Sequence, residues 1–337
     1  MEIKKIIRSA DWWEYKLPPL LAIGYATALK TQEPFLSLMP HLLFILFSII
    51  IGAIYVSIIN DITDIEIDQA SGKKNKMASM PSYLHWLLPI LCILAGYMCT
   101  LYLLPDIRSI FLYSIPWISF SLYSFKPIRL KDRGLLGVFA DASGSHIFTS
   151  LLVISSISFI AHSNVDWIWF TSTAIWALCY GIRGILWHQY LDRKNDLLTD
   201  TKTYASRLEP KRLKKMEIMI FLLELAALTF MLFVIGQVLP VIFLLIYVIL
   251  ALLRSILFKY KAVIILSPEN RSFHILMADY YQVFFPVSLL VTASLIDANV
   301  LLVLSIHLLL FPQKPLFILT DFWRFVKSIA RKAFKLP

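Results

Sequence analysis

Charged side chains are scarce in this chain: they make up 16% of its 337 residues, against 58% hydrophobic ones, whereas soluble domains carry about 25% charged and 45–50% apolar residues. That shortage, with a mean hydropathy of +0.72, excludes a soluble globular domain. Cysteine is confined to Cys92, Cys99 and Cys179, all inside apolar runs, so the three read as small core residues and not as a disulfide or metal framework. No Gly/Ser linker or low-complexity stretch divides the sequence, which leaves one membrane domain over residues 1–312. The apolar runs lack polar alternation, which argues against a membrane barrel. A cleavable-signal pattern is missing too: Lys4, Lys5 and Arg8 precede Trp12 and Trp13, Pro18 and Pro19 interrupt the apolar run, and no small-residue cleavage site follows. The N-terminus reads as an interfacial anchor.

What the chain has in abundance is long apolar runs. A bilayer core of about 30 Å asks for roughly 17–25 apolar residues per helix. The runs predict spans at 17–30, 41–59, 83–104, 107–123, 136–160, 166–188, 216–236, 238–257, 276–296 and 299–312. The fold class is therefore all-α, a polytopic bundle of nine to ten transmembrane helices around a central cavity that opens at the cytoplasmic side. A net charge of +10 could suggest nucleic acid, but twenty-eight of the thirty-two Lys and Arg residues fall on one predicted side. This is the positive-inside pattern, and it predicts a multi-pass protein of the cell's inner or plasma membrane with a cytoplasmic N-terminus. Residues 313–337 place Phe317, Phe322, Phe325, Ile329 and Phe334 among Arg324, Lys327, Arg331 and Lys332. They read as a basic amphipathic cytoplasmic tail lying on an anionic leaflet.

Two acidic runs interrupt this apolar background at corresponding places in two four-helix halves. The first, NDITDIEID, holds Asn60, Asp61, Asp64 and Asp68; the second, DRKNDLLTD, holds Asp192, Asp196 and Asp200. On helices each set of aspartates shares one face. Like charges so placed repel by a few tenths of a kcal/mol per pair, so a cation should offset them. Mg²⁺ is the natural candidate, because it takes hard oxygen ligands from one or two carboxylates plus substrate phosphates. The cations a diphosphate would want stand nearby: Lys73, Lys74 and Lys76, then Lys126, Arg129, Lys131 and Arg133, then Arg193, Lys194 and Lys202. Arg183 lies inside a predicted span two turns before Asp192, where an unpaired charge is costly, and is a candidate substrate contact. His188 and Gln189, and further off Asp141 and His146, are candidates to meet an acceptor.

The paired motifs NDxxDxxxD and DxxxDxxxD resemble those of the UbiA superfamily of intramembrane prenyltransferases. Lys202 and Thr203 after the second motif, YSFKPIRLKDRG from Tyr123 to Gly134, and WWEYKLPP before the first span resemble further family features, so that the likeness covers roughly residues 10–295. Where the family often has an Arg-Pro pair after the first motif, this chain has GKKNKMA. The resemblance implies Mg²⁺-dependent transfer of a prenyl group from a polyprenyl diphosphate to a small-molecule or lipid acceptor. It implies that Asn60, Asp61, Asp64, Asp68, Asp192, Asp196 and Asp200 hold the metal, with Tyr123, Lys126, Lys131, Lys73, Arg183 and His188 about the substrate. One branch of the family instead moves phosphoribose from phosphoribosyl diphosphate to a polyprenyl phosphate, and the polar run GIRGILWHQYLDRKND keeps that alternative open. A transporter would place its ionisable groups near the bilayer midplane beside Gly or Pro breaks. This chain puts its acids at the rim.

Overall fold

The computed structural model describes residues 7–199, 201–267 and 272–333. Of the residues singled out above, Lys4, Lys5, Asp200 and Phe334 lie outside the described residues, as do the side chains of Ile329, Arg331 and Lys332. Thirteen helices follow one another: α1 Trp13–Lys30, α2 Phe35–Thr63, α3 Ile65–Ala70, α4 Leu84–Leu103, α5 Ile107–Ser124, α6 Leu135–Ile160, α7 Trp167–Leu198, α8 Tyr204–Arg207, α9 Pro210–Ile235, α10 Val238–Phe258, α11 Tyr280–Ile296, α12 Val300–Leu310 and α13 Gln313–Ala333. The only strands among the described residues, β1 Lys261–Val263 and β2 Phe273–Ile275, pair in parallel between α10 and α11.

A helix stands at each of the ten predicted apolar runs, because hydrocarbon leaves the backbone no partner but itself. By length and composition alone, five of them suffice to cross a membrane: α2, α4, α6, α9 and α10. The others fall short for visible reasons. Helix α1 carries Glu14, Lys16 and Lys30, α7 dilutes its apolar residues with Ser172, Thr173 and Arg183, and α11 is short. The count of nine to ten spans is thus not reached on this criterion. The run at 299–312 forms only the eleven-residue α12, which rises about 16 Å, half the hydrocarbon thickness. It then bends by 87° into α13. That bend falls at the predicted start of the tail.

Burial separates an inner from an outer set of helices. Residues 17–28 of α1, 149–158 of α6 and 280–286 of α11 are buried on all sides. By contrast, only 22%, 28% and 17% of the most apolar stretches of α4, α9 and α10 are buried inside the bundle, which makes these the lipid-facing helices. Small residues let inner helices approach closely, as membrane packing favours. A Cβ on Gly24 of α1 would lie 2.5 Å from Leu42 Cδ1 of α2, and one on Gly181 of α7 would lie 3.0 Å from Ala142 Cα of α6.

The tail helix is not a free appendage. Ile318, Asp321 and Phe325 share one face of α13 and are buried. Arg254 of α10, itself 1% exposed, donates from Nε to Asp321 Oδ2 at 2.8 Å and pairs with Asp279 before α11. The Phe317 ring stands 5.3 Å from the same guanidinium. An arginine near a membrane helix end is thus neutralised by two carboxylates from distant segments.

Candidate active site

The first acidic run lies where α2 ends. The backbone ladder continues through the turn, with Asp64 N bonding Asn60 O at 3.0 Å and Asp68 N bonding Asp64 O at 2.8 Å, and only Asp64 itself departs from helical dihedrals. Asn60, Asp64 and Asp68 line a common cavity, whereas Asp61 does not. Asp61 accepts Arg8 Nη1 at 3.3 Å, Asp68 accepts Asn75 Nδ2 at 2.8 Å, and Asp64 takes both Lys131 and Arg129, the latter at 2.8 Å. The second run continues α7 for ten residues past its predicted span, so that Asp192 and Asp196 stand one turn apart on one helix face.

Both runs open on one cavity of about 350 Å³, within the range of small-molecule sites. Asn60, Asp64, Asp68, Lys73, Tyr123, Lys131, His188, Asp192 and Asp196 line it, so the fold brings together most of the candidates. Lys73 joins the two motifs directly, its Nζ lying 3.2 Å from Asp192 Oδ1. The opposite end is apolar, walled by Leu17, Leu20, Ile49, Trp117, Phe120 and Leu152. A polar flank of Asp141, Ser145, Thr149, His188 and Gln189 runs between the ends.

Other candidates are placed elsewhere. Arg183 does not line the cavity: it is 3% exposed, paired with Glu224 of α9, and donates to Leu276 O at 2.7 Å. A charge inside a span can be stabilised by an internal partner as well as by substrate, and here the partner is forty-one residues away. Lys126 is exposed outside the cavity, His146 packs on Tyr180 with ring centroids 5.0 Å apart, and Asp61 turns to Arg8. Arg133 donates to backbone carbonyls of its own loop, and Arg193 of α7 to those of Ala205 in α8 and Leu208 just after it.

Several residues order the site through contacts that the sequence did not specify, although Arg129 was among the candidate cations and Thr203 among the family-like features. Arg129, 5% exposed and in a left-handed conformation, donates to Asp64, to Asp132 and to the carbonyls of Thr63 and Ser124. Asn75, from the GKKNKMA stretch, donates to Asp61 O at 2.7 Å as well as to Asp68. Thr203 Oγ1 donates to Asp196 Oδ2 at 2.8 Å, and Ser124 Oγ to Asn60 Oδ1 at 2.8 Å. Arg8 and Lys16 reach the cavity from the N-terminal side. A lone polar residue in a loop has no periodicity to betray it; for Arg8 the run of basic residues before Trp12 was the one available hint.

The electrostatics call for a cation. Among the described residues six carboxylates line the cavity, from Asp11, Asp64, Asp68, Asp141, Asp192 and Asp196, against four cations from Arg8, Lys16, Lys73 and Lys131. An anionic diphosphate would meet net repulsion there unless positive charge came with it. Burial pushes the Asp196 carboxyl above its ordinary value, and Asp192 adds repulsion. Burial likewise lowers the Lys131 ammonium, with Asp64 opposing. The donors are all oxygen, which suits Mg²⁺. Among the described residues no three His, Cys, Asp or Glu side chains converge closely enough to hold a metal by themselves. A metal here would share its coordination with phosphate oxygens and water.

Residues 17–278 match the UbiA prenyltransferase family. The chain belongs to that family. It is a transferase of the UbiA type and an integral membrane protein. No curated protein sequence matches it. Its fold is the UbiA fold: a UbiA homolog from Archaeoglobus fulgidus bound to GPP and Mg²⁺ superposes with a TM-score of 0.53 at 13% identity, covering 97% of this chain and all of that one. The same homolog bound to DMAPP and Mg²⁺ gives 0.54 at 13% identity over 86% and 98%, and bound to Cd²⁺ it gives 0.58 at 13% identity over 88% and 100%.

Proposed function

We propose that this UbiA protein is an Mg²⁺-dependent prenyltransferase that moves a prenyl group from a prenyl diphosphate to an acceptor held on the polar flank of the cavity. The observation that carries the reading is the shape of the charge: two facing acidic motifs, bridged by Lys73 and Asp192, cap one end of a cavity whose other end is apolar. That is the polarity of a prenyl diphosphate. The structures of the A. fulgidus homolog bound to GPP or DMAPP with Mg²⁺ support it. The excess of Lys and Arg on one side supports acidic motifs and an N-terminus in the cytoplasm, and exposed Trp323, Arg324 and Lys327 support an α13 lying on the anionic leaflet.

Asp64, Asp68, Asp192 and Asp196, with Asn60, would hold the metal; Asp200 falls outside the described residues. Bound there, Mg²⁺ would neutralise charge developing on the leaving diphosphate. Lys131 and Lys73 would donate to the same oxygens, a role supported by the contact of Arg129 and Lys131 with Asp64. Phe120, Trp117 and Leu152 keep water from the allylic carbon. His188 and Gln189 would orient the acceptor, a role supported by their lining of the cavity and by Gln189 Nε2 having no protein partner.

The test is diphosphate release by the protein in lipid, with geranyl, farnesyl and longer prenyl diphosphates offered beside phosphoribosyl diphosphate plus polyprenyl phosphate. Release from a prenyl donor should stop on chelation and return with Mg²⁺. Turnover of the sugar diphosphate alone would assign the protein to phosphoribosyl transfer, which the hydroxyl-bearing flank of Ser145 and Thr149 would also serve. Turnover of neither donor would refute both readings. Lys131→Ala should lower kcat/KM about 100-fold, as loss of one preorganised donor does elsewhere, with Lys131→Arg recovering part of it; equal rates in both variants and the wild type would remove Lys131 from the site.

A further inference from the structure

A second hollow lies on the lipid side of the cavity, between α4 and α5. It has a volume of about 420 Å³ and is lined by Ile93, Tyr97 and Thr100 of α4 and by Ser114, Ile118 and Leu122 of α5. Ile93 and Tyr97 are about half exposed, on a helix that is itself mostly lipid-facing. In a bilayer such a groove holds hydrocarbon, since no water is there to fill it.

Tyr55, Tyr113 and Trp117 line both this groove and the reaction cavity. The wall between the two spaces is therefore one side chain thick. Its tyrosines are fixed: Tyr55 Oη is 2.8 Å from Ser121 Oγ, and Tyr113 Oη donates to Ser48 O at 3.1 Å. Both rings pack on the Trp117 indole, with centroids 4.8 Å and 6.0 Å away. The indole spans two glycines. A Cβ on Gly52, which faces the cavity, would lie 3.8 Å from the ring, and one on Gly96, which faces the groove, 2.6 Å from Trp117 Cζ2. The two glycines let the indole lie against both helices, where a side chain at Gly96 would displace it.

The distances along α2 say what would pass. From Asn60 at the acidic end to Gly52 beside the indole is eight residues, about 12 Å of helix rise. A chain anchored by its diphosphate at the acidic motifs meets the Trp117 wall at that depth, with the groove directly beyond. We infer that the α4–α5 groove binds the distal isoprene units of a long-chain prenyl diphosphate, admitted past Trp117. The inference rests on the prenyl-donor reading above.

The full chain in lipid nanodiscs tests it with geranyl diphosphate, a long-chain polyprenyl diphosphate, and the latter carrying a diazirine on its terminal isoprene. Thr100→Phe and Ser114→Phe fill the groove from its outer side. Each should lower the ratio of kcat/KM for the long donor to that for geranyl diphosphate about tenfold, the loss expected when a few methylenes are denied an apolar site. The diazirine should label peptides of α4 and α5. An unmoved ratio in both variants, or a label confined to other helices, would overturn the groove assignment, as would labelling of α4 and α5 only by a diazirine-bearing phospholipid. Failure of the wild type to turn over either donor would refute the prenyl-transfer reading instead, and the label reads the groove without turnover.

Discussion

Asp64→Ala and Asp196→Ala should each reduce the rate of diphosphate release by roughly 10³-fold, measured as initial rates at saturating Mg²⁺, because each removes a carboxylate from the pair of motifs that face the leaving group. The two should differ in stability. Asp64 is the shared acceptor of Arg129 and Lys131, which are 5% and 9% exposed, so Asp64→Ala strips buried Lys131 of its acceptor, leaves Arg129 only Asp132 and backbone carbonyls, and should also lower the unfolding temperature. Asp196 is half-buried, accepts one hydroxyl from Thr203 and carries a raised carboxyl, so Asp196→Ala relieves repulsion with Asp192 and should leave unfolding nearly unchanged. Asp196→Asn should raise the Mg²⁺ concentration needed for half-maximal rate. Wild-type rates and an unshifted Mg²⁺ requirement in the Asp196 variants would remove the second motif from the chemistry.

The helices were legible because the bilayer leaves few choices. Apolar runs of fixed length must be helical, and every predicted run is occupied to within a few residues apart from the extension of α7 through its acidic stripe and the earlier starts of α2 and α9. The aspartate motifs were legible because like charges at helical spacing at the end of an apolar run lack a structural reason. The pairing of Asp64 with Arg129 and Lys131, sixty-five and sixty-seven residues on, was not, since a contact across the sequence leaves no periodicity. Arg8 and Asn75 likewise act through tertiary contacts that leave no pattern. Arg183 shows the ambiguity of a charge within a span. Sequence ties it to the nearest acidic run, whereas space gives it Glu224.

Glu224→Ala should be the most destabilising single change away from the cavity, costing about 3–5 kcal/mol, the range for stripping one partner from a buried ion pair. Glu224 is fully buried, pairs with Arg183 of α7 and accepts the Tyr281 hydroxyl at 2.9 Å. Arg183 carries the Phe221 ring 5.0 Å away and donates to the carbonyls of Ile264 and Leu276, next to the two short strands. The neighbouring Glu217 Oε2 accepts the backbone N–H groups of Ile265 and Leu266 at 3.0 Å each. Helices α7, α9 and α11 and the loop between α10 and α11 therefore meet at this one pair, and a lone guanidinium there has neither water nor counter-ion. Replacing both charges by apolar groups of similar volume, Arg183→Met with Glu224→Leu, should restore most of the loss, read as unfolding temperature in detergent. Were Arg183 a diphosphate ligand instead, that double variant would be as stable as the wild type but inactive. Recovery of both stability and diphosphate release would assign the pair to holding the α7 acidic stripe in place.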